Sequence, residues 1–85
     1  MRTEHELLGL MQSPNWWDRY AAAHSPYATE QVLLVAIRDP HPWVREAAAM
    51  NRTASVAVLA IAEQDESAYV RMAAEANRLQ RANEQ

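Results

Sequence analysis

The chain has 85 residues, enough for one domain whose folding hides roughly 60% of its unfolded surface. Its composition, 49% hydrophobic and 22% charged, is that of a globular chain, and a net charge of −3 argues against general electrostatic attraction to nucleic acid. The absence of cysteine excludes disulfides, zinc–thiolate sites, iron–sulfur clusters and thiol nucleophiles. Six helices are predicted. The first covers 4–12 and the second 16–24, stopped by Ser25-Pro26. The third, 28–38, carries Val32, Leu33, Val35, Ala36 and Ile37, with Thr29 as a capping candidate and Asp39-Pro40 as its stop. The fourth, 42–50, takes Pro42 into its first turn and places Val44, Ala47, Ala48 and Asn51 on one face. The fifth, 54–63, repeats the third with Val56, Leu59, Ala60 and Ile61, and Ser55 as its cap candidate. The sixth covers 68–82. Asn51 and Asn77 stand where the helices of this kind should end, a position that favours left-handed backbone.

Seventeen alanines, one glycine and no phenylalanine favour closely packed helices with short loops. The longest uncharged stretch, Leu7–Trp17, contains Gln12, Ser13, Pro14 and Asn15, so no bilayer-spanning segment is expected. Residues after Met1 do not form a signal peptide, and a cytoplasmic location is expected.

A repeat organises the chain. Trp17-Asp-Arg-Tyr-Ala-Ala-Ala23 aligns with Trp43-Val-Arg-Glu-Ala-Ala-Ala49 and with Tyr69-Val-Arg-Met-Ala-Ala-Glu75, at a step of 26 residues. Ala28, Val32, Leu33 and Asp39 align with Ala54, Val58, Leu59 and Asp65, and Thr3-Glu4, Leu7-Leu8 and Pro14 with Thr29-Glu30, Leu33-Leu34 and Pro40. The run Asp39-Pro-His-Pro-Trp-Val-Arg-Glu-Ala-Ala-Ala-Met-Asn51, echoed by Asp65, Val70-Arg71, Ala73-Ala74 and Asn77, resembles the repeat of HEAT-like and leucine-rich-repeat-variant proteins. The resemblance covers about Thr3 to Arg78, and second helices of about ten residues favour the HEAT-like form. It departs from the family pattern at Ser25-Pro26, at Asn51-Arg52 and at Asp18, which replaces the valine of Val-Arg. The fold class expected is all-α: a short right-handed α-solenoid of about three 26-residue helical hairpins in one domain, 1–85. Its divisions are a half repeat at 3–14, repeats at 15–40 and 41–66, and a terminal half repeat at 67–85.

Two columns carry the candidate sites. Arg19, Arg45 and Arg71 recur once per unit, with Asp39 and Asp65 six residues before the latter two. Either the aspartates and arginines form a ladder bridging the turns, or the arginines grip anionic groups. Ser13 replaces the aspartate before Arg19, so Arg19 is expected to be the freest of the three. Trp17, Trp43 and Tyr69 form the second column, each at the first turn of its helix. They read as stacking core or, if exposed, as anchors for a partner. Trp16 is expected to be the more exposed, because Pro42 and Ala68 share its column. In the last helix Met72 and Leu79 align with Glu46 and Thr53 and form an apolar stripe suited to self-association or docking.

His5, His24 and His41 lack metal-ligand spacing, and no cofactor is expected. With no nucleophile on a glycine turn and no phosphate loop, an enzyme is not expected either. The function expected is a small non-enzymatic interaction module of bacterial or phage type, binding a protein partner or a second copy through Trp16, Trp17, Trp43, Tyr69, Met72 and Leu79. The alternative is a nucleic-acid-binding module using Arg19, Arg45 and Arg71 with Arg78 and Arg81, as resemblance to certain HEAT-like DNA glycosylases implies.

Overall fold

Side chains just upstream of each helix decide where it starts. A computed structural model describes residues 3–84 as six helices: α1 (Glu4–Leu10), α2 (Trp16–His24), α3 (Glu30–Ala36), α4 (Pro42–Met50), α5 (Val56–Ala62) and α6 (Ala68–Asn83), with no strand among the described residues. Met1, Arg2 and Gln85, which fall within the expected domain, lie outside the described residues. At α1 the Thr3 hydroxyl accepts from Glu6 N (3.2 Å) while Glu6 accepts from Thr3 N (3.0 Å), a reciprocal capping box. Thr29 and Ser55 cap α3 and α5, accepting from Val32 N and Val58 N at 3.5 and 3.3 Å. At α2, α4 and α6 a side chain further back turns the chain in. Ser13 Oγ accepts from Asn15 N (3.1 Å), Asp39 Oδ1 from His41 N (2.9 Å) and Asp65 Oδ1 from Ser67 N (2.9 Å). Pro42 takes the first helical position of α4, where no N–H is needed.

Bounds for α2 and α4 coincide with those read from the sequence. The other short helices do not. α1, α3 and α5 have seven residues each, about two turns, so the ten-residue second helices expected of a HEAT-like hairpin are absent. The apolar run misleads because core residues continue beyond the helix. Ala28 and Ala54 are buried, yet each sits in a turn, its N–H bonded to Ser25 O (3.1 Å) or Asn51 O (3.0 Å). The left-handed helix ends expected at Asn51 and Asn77 are also absent. Asn51 is extended (φ −67°), Asn77 lies inside α6, and no described residue has positive φ.

Packing makes two layers. α1, α3 and α5 contact one another in series, α2, α4 and α6 do likewise, and each helix touches its chain neighbours across the gap. Leu7, Val32, Leu33, Ile37, Val44, Val58, Leu59 and Val70 fill the space between. The buried residues of α2, α4 and α6 are mostly alanine (Ala22, Ala23, Ala47, Ala48, Ala49, Ala73 and Ala74, beside Val44, Val70 and Asn77), and these small side chains let helices that contact one another approach closely. Asparagines bind these helices at their far ends. Asn51 Nδ2 donates to Ala23 O and Ser25 O (both 2.8 Å), and its Oδ1 accepts from Thr53 N (2.9 Å). Asn77 Nδ2 donates to Ala49 O (2.8 Å) and Asn51 O (2.9 Å). Backbone carbonyls left open at the ends of α2 and α4 are thereby satisfied.

Candidate binding face

The arginine column is a ladder. Arg19 Nε donates to Asp39 Oδ2 (2.7 Å) and its Nη2 to Oδ1 (3.3 Å), with both side chains nearly buried. Arg45 Nε donates to Asp65 Oδ2 (2.9 Å), again with both side chains about nine-tenths covered. The partner therefore lies 20 residues downstream of each arginine, not six upstream. What lies upstream is a carbonyl. Arg19 Nη1 reaches Ser13 O (2.8 Å), Arg45 Nη1 reaches Asp39 O (2.8 Å) and Arg71 Nη1 reaches Asp65 O (2.6 Å). Each aspartate thus joins two arginines, one through its carboxylate and one through its main chain.

The expectation that Arg19 is the freest is overturned, because Asp39, 20 residues downstream, supplies the carboxylate that Ser13 lacks. Arg71 is the exposed member and has no carboxylate partner among the described residues. Ser13 keeps the turn-forming role of the aspartates while adding no buried charge, and its hydroxyl donates to Asp18 (2.8 Å). The other arginines proposed for nucleic acid are also engaged. Arg78 pairs with Glu63, and Arg81 Nη2 donates to Arg52 O (2.5 Å).

Surface aromatic density collects on the outer side of α2, α4 and α6. Trp17, Trp43 and Tyr69 are 57%, 58% and 72% exposed. Stepping i, i+3, i+7 along each helix adds Tyr20 and His24 on α2, Glu46 and Met50 on α4, and Met72 on α6. Trp16 reverses its expected place: it is half-buried and packed on the core. It stacks on the His41 ring (4.4 Å, 18°) and meets Trp17, Tyr20 and Trp43 edge-on at 6.1, 6.2 and 5.3 Å. His41 is held for this contact by its Nδ1, which accepts from Trp43 N (3.1 Å). The shared column with Pro42 and Ala68 gave no hint of this, since the ring fills a space that their smaller side chains do not. A groove of about 510 Å³ opens between α2 and α4, lined by Trp16, Trp17, Tyr20, His24, Trp43, Glu46, Ala47 and Met50. Further hollows continue it along Met50 to Thr53 and across Trp43 to Tyr69.

Met72 and Leu79 are both exposed, at 63% and 58%. The end of α6 does not fold over them; Arg78, Arg81 and Glu84 tie it instead to Glu63 and Arg52. Among the described residues no three His, Cys, Asp or Glu side chains are grouped for a metal, every buried side-chain polar atom has a hydrogen-bond partner, and no helix is long and apolar enough to cross a membrane. Comparison of the chain with protein-family models, with curated proteins and with solved structures finds no match.

Proposed function

We propose that the chain is a short α-solenoid of about three 26-residue helical hairpins that binds a protein partner through the aromatic face of α2, α4 and α6, without chemistry of its own. The observation that carries this reading is the row Trp17, Trp43 and Tyr69, one exposed aromatic per unit at the same helical position. Roughly 100 Å² of each ring system stays in water, and its burial against a partner is worth about 2–3 kcal/mol apiece before the costs of association. Tryptophan and tyrosine anchors of this kind dominate binding energy where they meet a partner's pocket or helix. The arginines offer less to an anion, because Arg19 and Arg45 are held in ion pairs.

Peptide-display selection tests the proposal, run in parallel on the parent chain and on the Trp17→Ala/Trp43→Ala variant. Sequences should enrich on the parent and bind the variant at least about tenfold more weakly, in line with hot-spot truncation. Enrichment that the double variant does not weaken would overturn it.

Met72 and Leu79 support a second reading, in which the exposed stripe of α6 meets a second copy of the chain in a symmetric dimer. Light scattering on the parent and on Met72→Glu/Leu79→Glu distinguishes it. A parent that stays monomeric at high concentration removes this reading.

A further inference from the structure

We infer that the groove between α2 and α4 receives an arginine side chain from a peptide segment of the partner. This rests on the docking reading above and names what is docked. Five acidic residues are buried or half-buried among those described: Asp18, Asp39, Glu46, Glu63 and Asp65. Four have donors, namely Ser13, Arg19, Arg78 and Arg45. Glu46 alone has neither a hydrogen bond nor an ion pair. A carboxylate partly withdrawn from water and lacking a donor is complemented by an incoming cation.

Its surroundings select for the same charge. Glu46 shares the groove with Trp16, Trp17, Tyr20 and Trp43, whose ring faces carry the negative end of the quadrupole. Among the described residues, His24, stacked on Tyr20 at 5.7 Å, is the one lining side chain able to carry positive charge, and no arginine lines the groove. A guanidinium suits this lining better than an ammonium, since its plane stacks on indole while its edge forks a carboxylate. A phosphate or an acidic peptide would meet Glu46 and the ring faces with like sign.

All three tryptophans of the chain line the groove, so their indole N–H resonances report on it directly. The probes are the capped peptide Leu-Ser-Arg-Ser-Leu and the same peptide with citrulline, which keeps the shape and removes the charge. The arginine peptide should shift the indole signals and bind about tenfold more tightly than the citrulline peptide, within the range of a partly desolvated cation–π contact. Glu46→Gln should cut that preference to about threefold or less, and Trp43→Ala should weaken both peptides. Equal binding of the two peptides overturns the inference and leaves the docking reading standing, which the display selection decides separately. A preference unchanged in Glu46→Gln, no indole shift with either peptide, tighter binding of a glutamate counterpart, or the same shifts produced by duplex DNA or by raising the protein concentration alone also overturns it.

Discussion

Substituting Arg45 and Arg71 by alanine compares two members of one column in different surroundings. Arg45 is 11% exposed and Asp65 is 8% exposed, their charged atoms 2.9 Å apart. Its guanidinium also donates to Asp39 O and Pro40 O (2.8 and 3.1 Å). Arg45→Ala leaves Asp65 nearly buried with only the Ser67 N–H against its carboxylate, and both carbonyls lose a donor. Breaking a buried pair costs about 3–5 kcal/mol, and residual solvent access places this one near the lower end, about 3 kcal/mol. That is a large part of the roughly 4–13 kcal/mol expected for a domain of this size. The midpoint of thermal unfolding should fall by about 12–24 °C. Arg71 is exposed and makes one hydrogen bond, so Arg71→Ala should cost no more than about 1 kcal/mol. Melts followed by far-ultraviolet circular dichroism decide the matter. Arg45→Met/Asp65→Leu should recover much of the loss, because the charges are then removed together. An Arg45→Ala midpoint within about 4 °C of the parent, or equal losses at both positions, would refute the reasoning.

Asn51→Ala removes four side-chain hydrogen bonds and Asn77→Ala two, so chemical denaturation should show losses of about 4 and about 2 kcal/mol, in that order. A reversed order would mean that the bonds do not set the cost. Gly9 is exposed inside α1, and a methyl added there meets nothing within 4 Å, so Gly9→Ala should stabilise by about 0.5–1 kcal/mol in the same titration. Trp17→Ala should leave the melting midpoint within about 4 °C of the parent while weakening any selected peptide, since over half of the side chain already faces water.

Periodicity told most about features that repeat and least about features that depend on which side a neighbour lies. Bounds for α2 and α4 were legible because proline and serine punctuate them, whereas the apolar content of Ala28, Ile37 and Ala54 disguised the true ends of α3 and α5. The pairing of arginine with aspartate was legible as chemistry but not as geometry. Two carboxylates lay within reach of Arg45 along the chain, and only the packing of successive helices selects Asp65 over Asp39. Trp16 and Trp17 are adjacent, so their directions differ by about 100°, and sequence spacing alone does not say which one meets the core. Tyr20, Met50 and Glu46 were within reach of the i, i+3, i+7 arithmetic applied to Trp17 and Trp43. The asparagine bonds were not, since their acceptors are carbonyls 26 and 28 residues away that carry no sequence signature.

Flat alanine surfaces between α2, α4 and α6 offer few interlocking ridges, and helices joined by them alone would be free to slide along one another. Directional bonds at both extremities prevent this: Arg45 with its aspartates beside the start of α4, and Asn51 beside its end. The helices are gripped as rungs are gripped by two rails. The interval between Trp17, Trp43 and Tyr69 is therefore a mechanical property set by residues that a ligand on the aromatic face never touches. Loosening either rail would blur that spacing and, on the docking reading proposed above, weaken recognition through a change in stiffness, with every contacting side chain still in place.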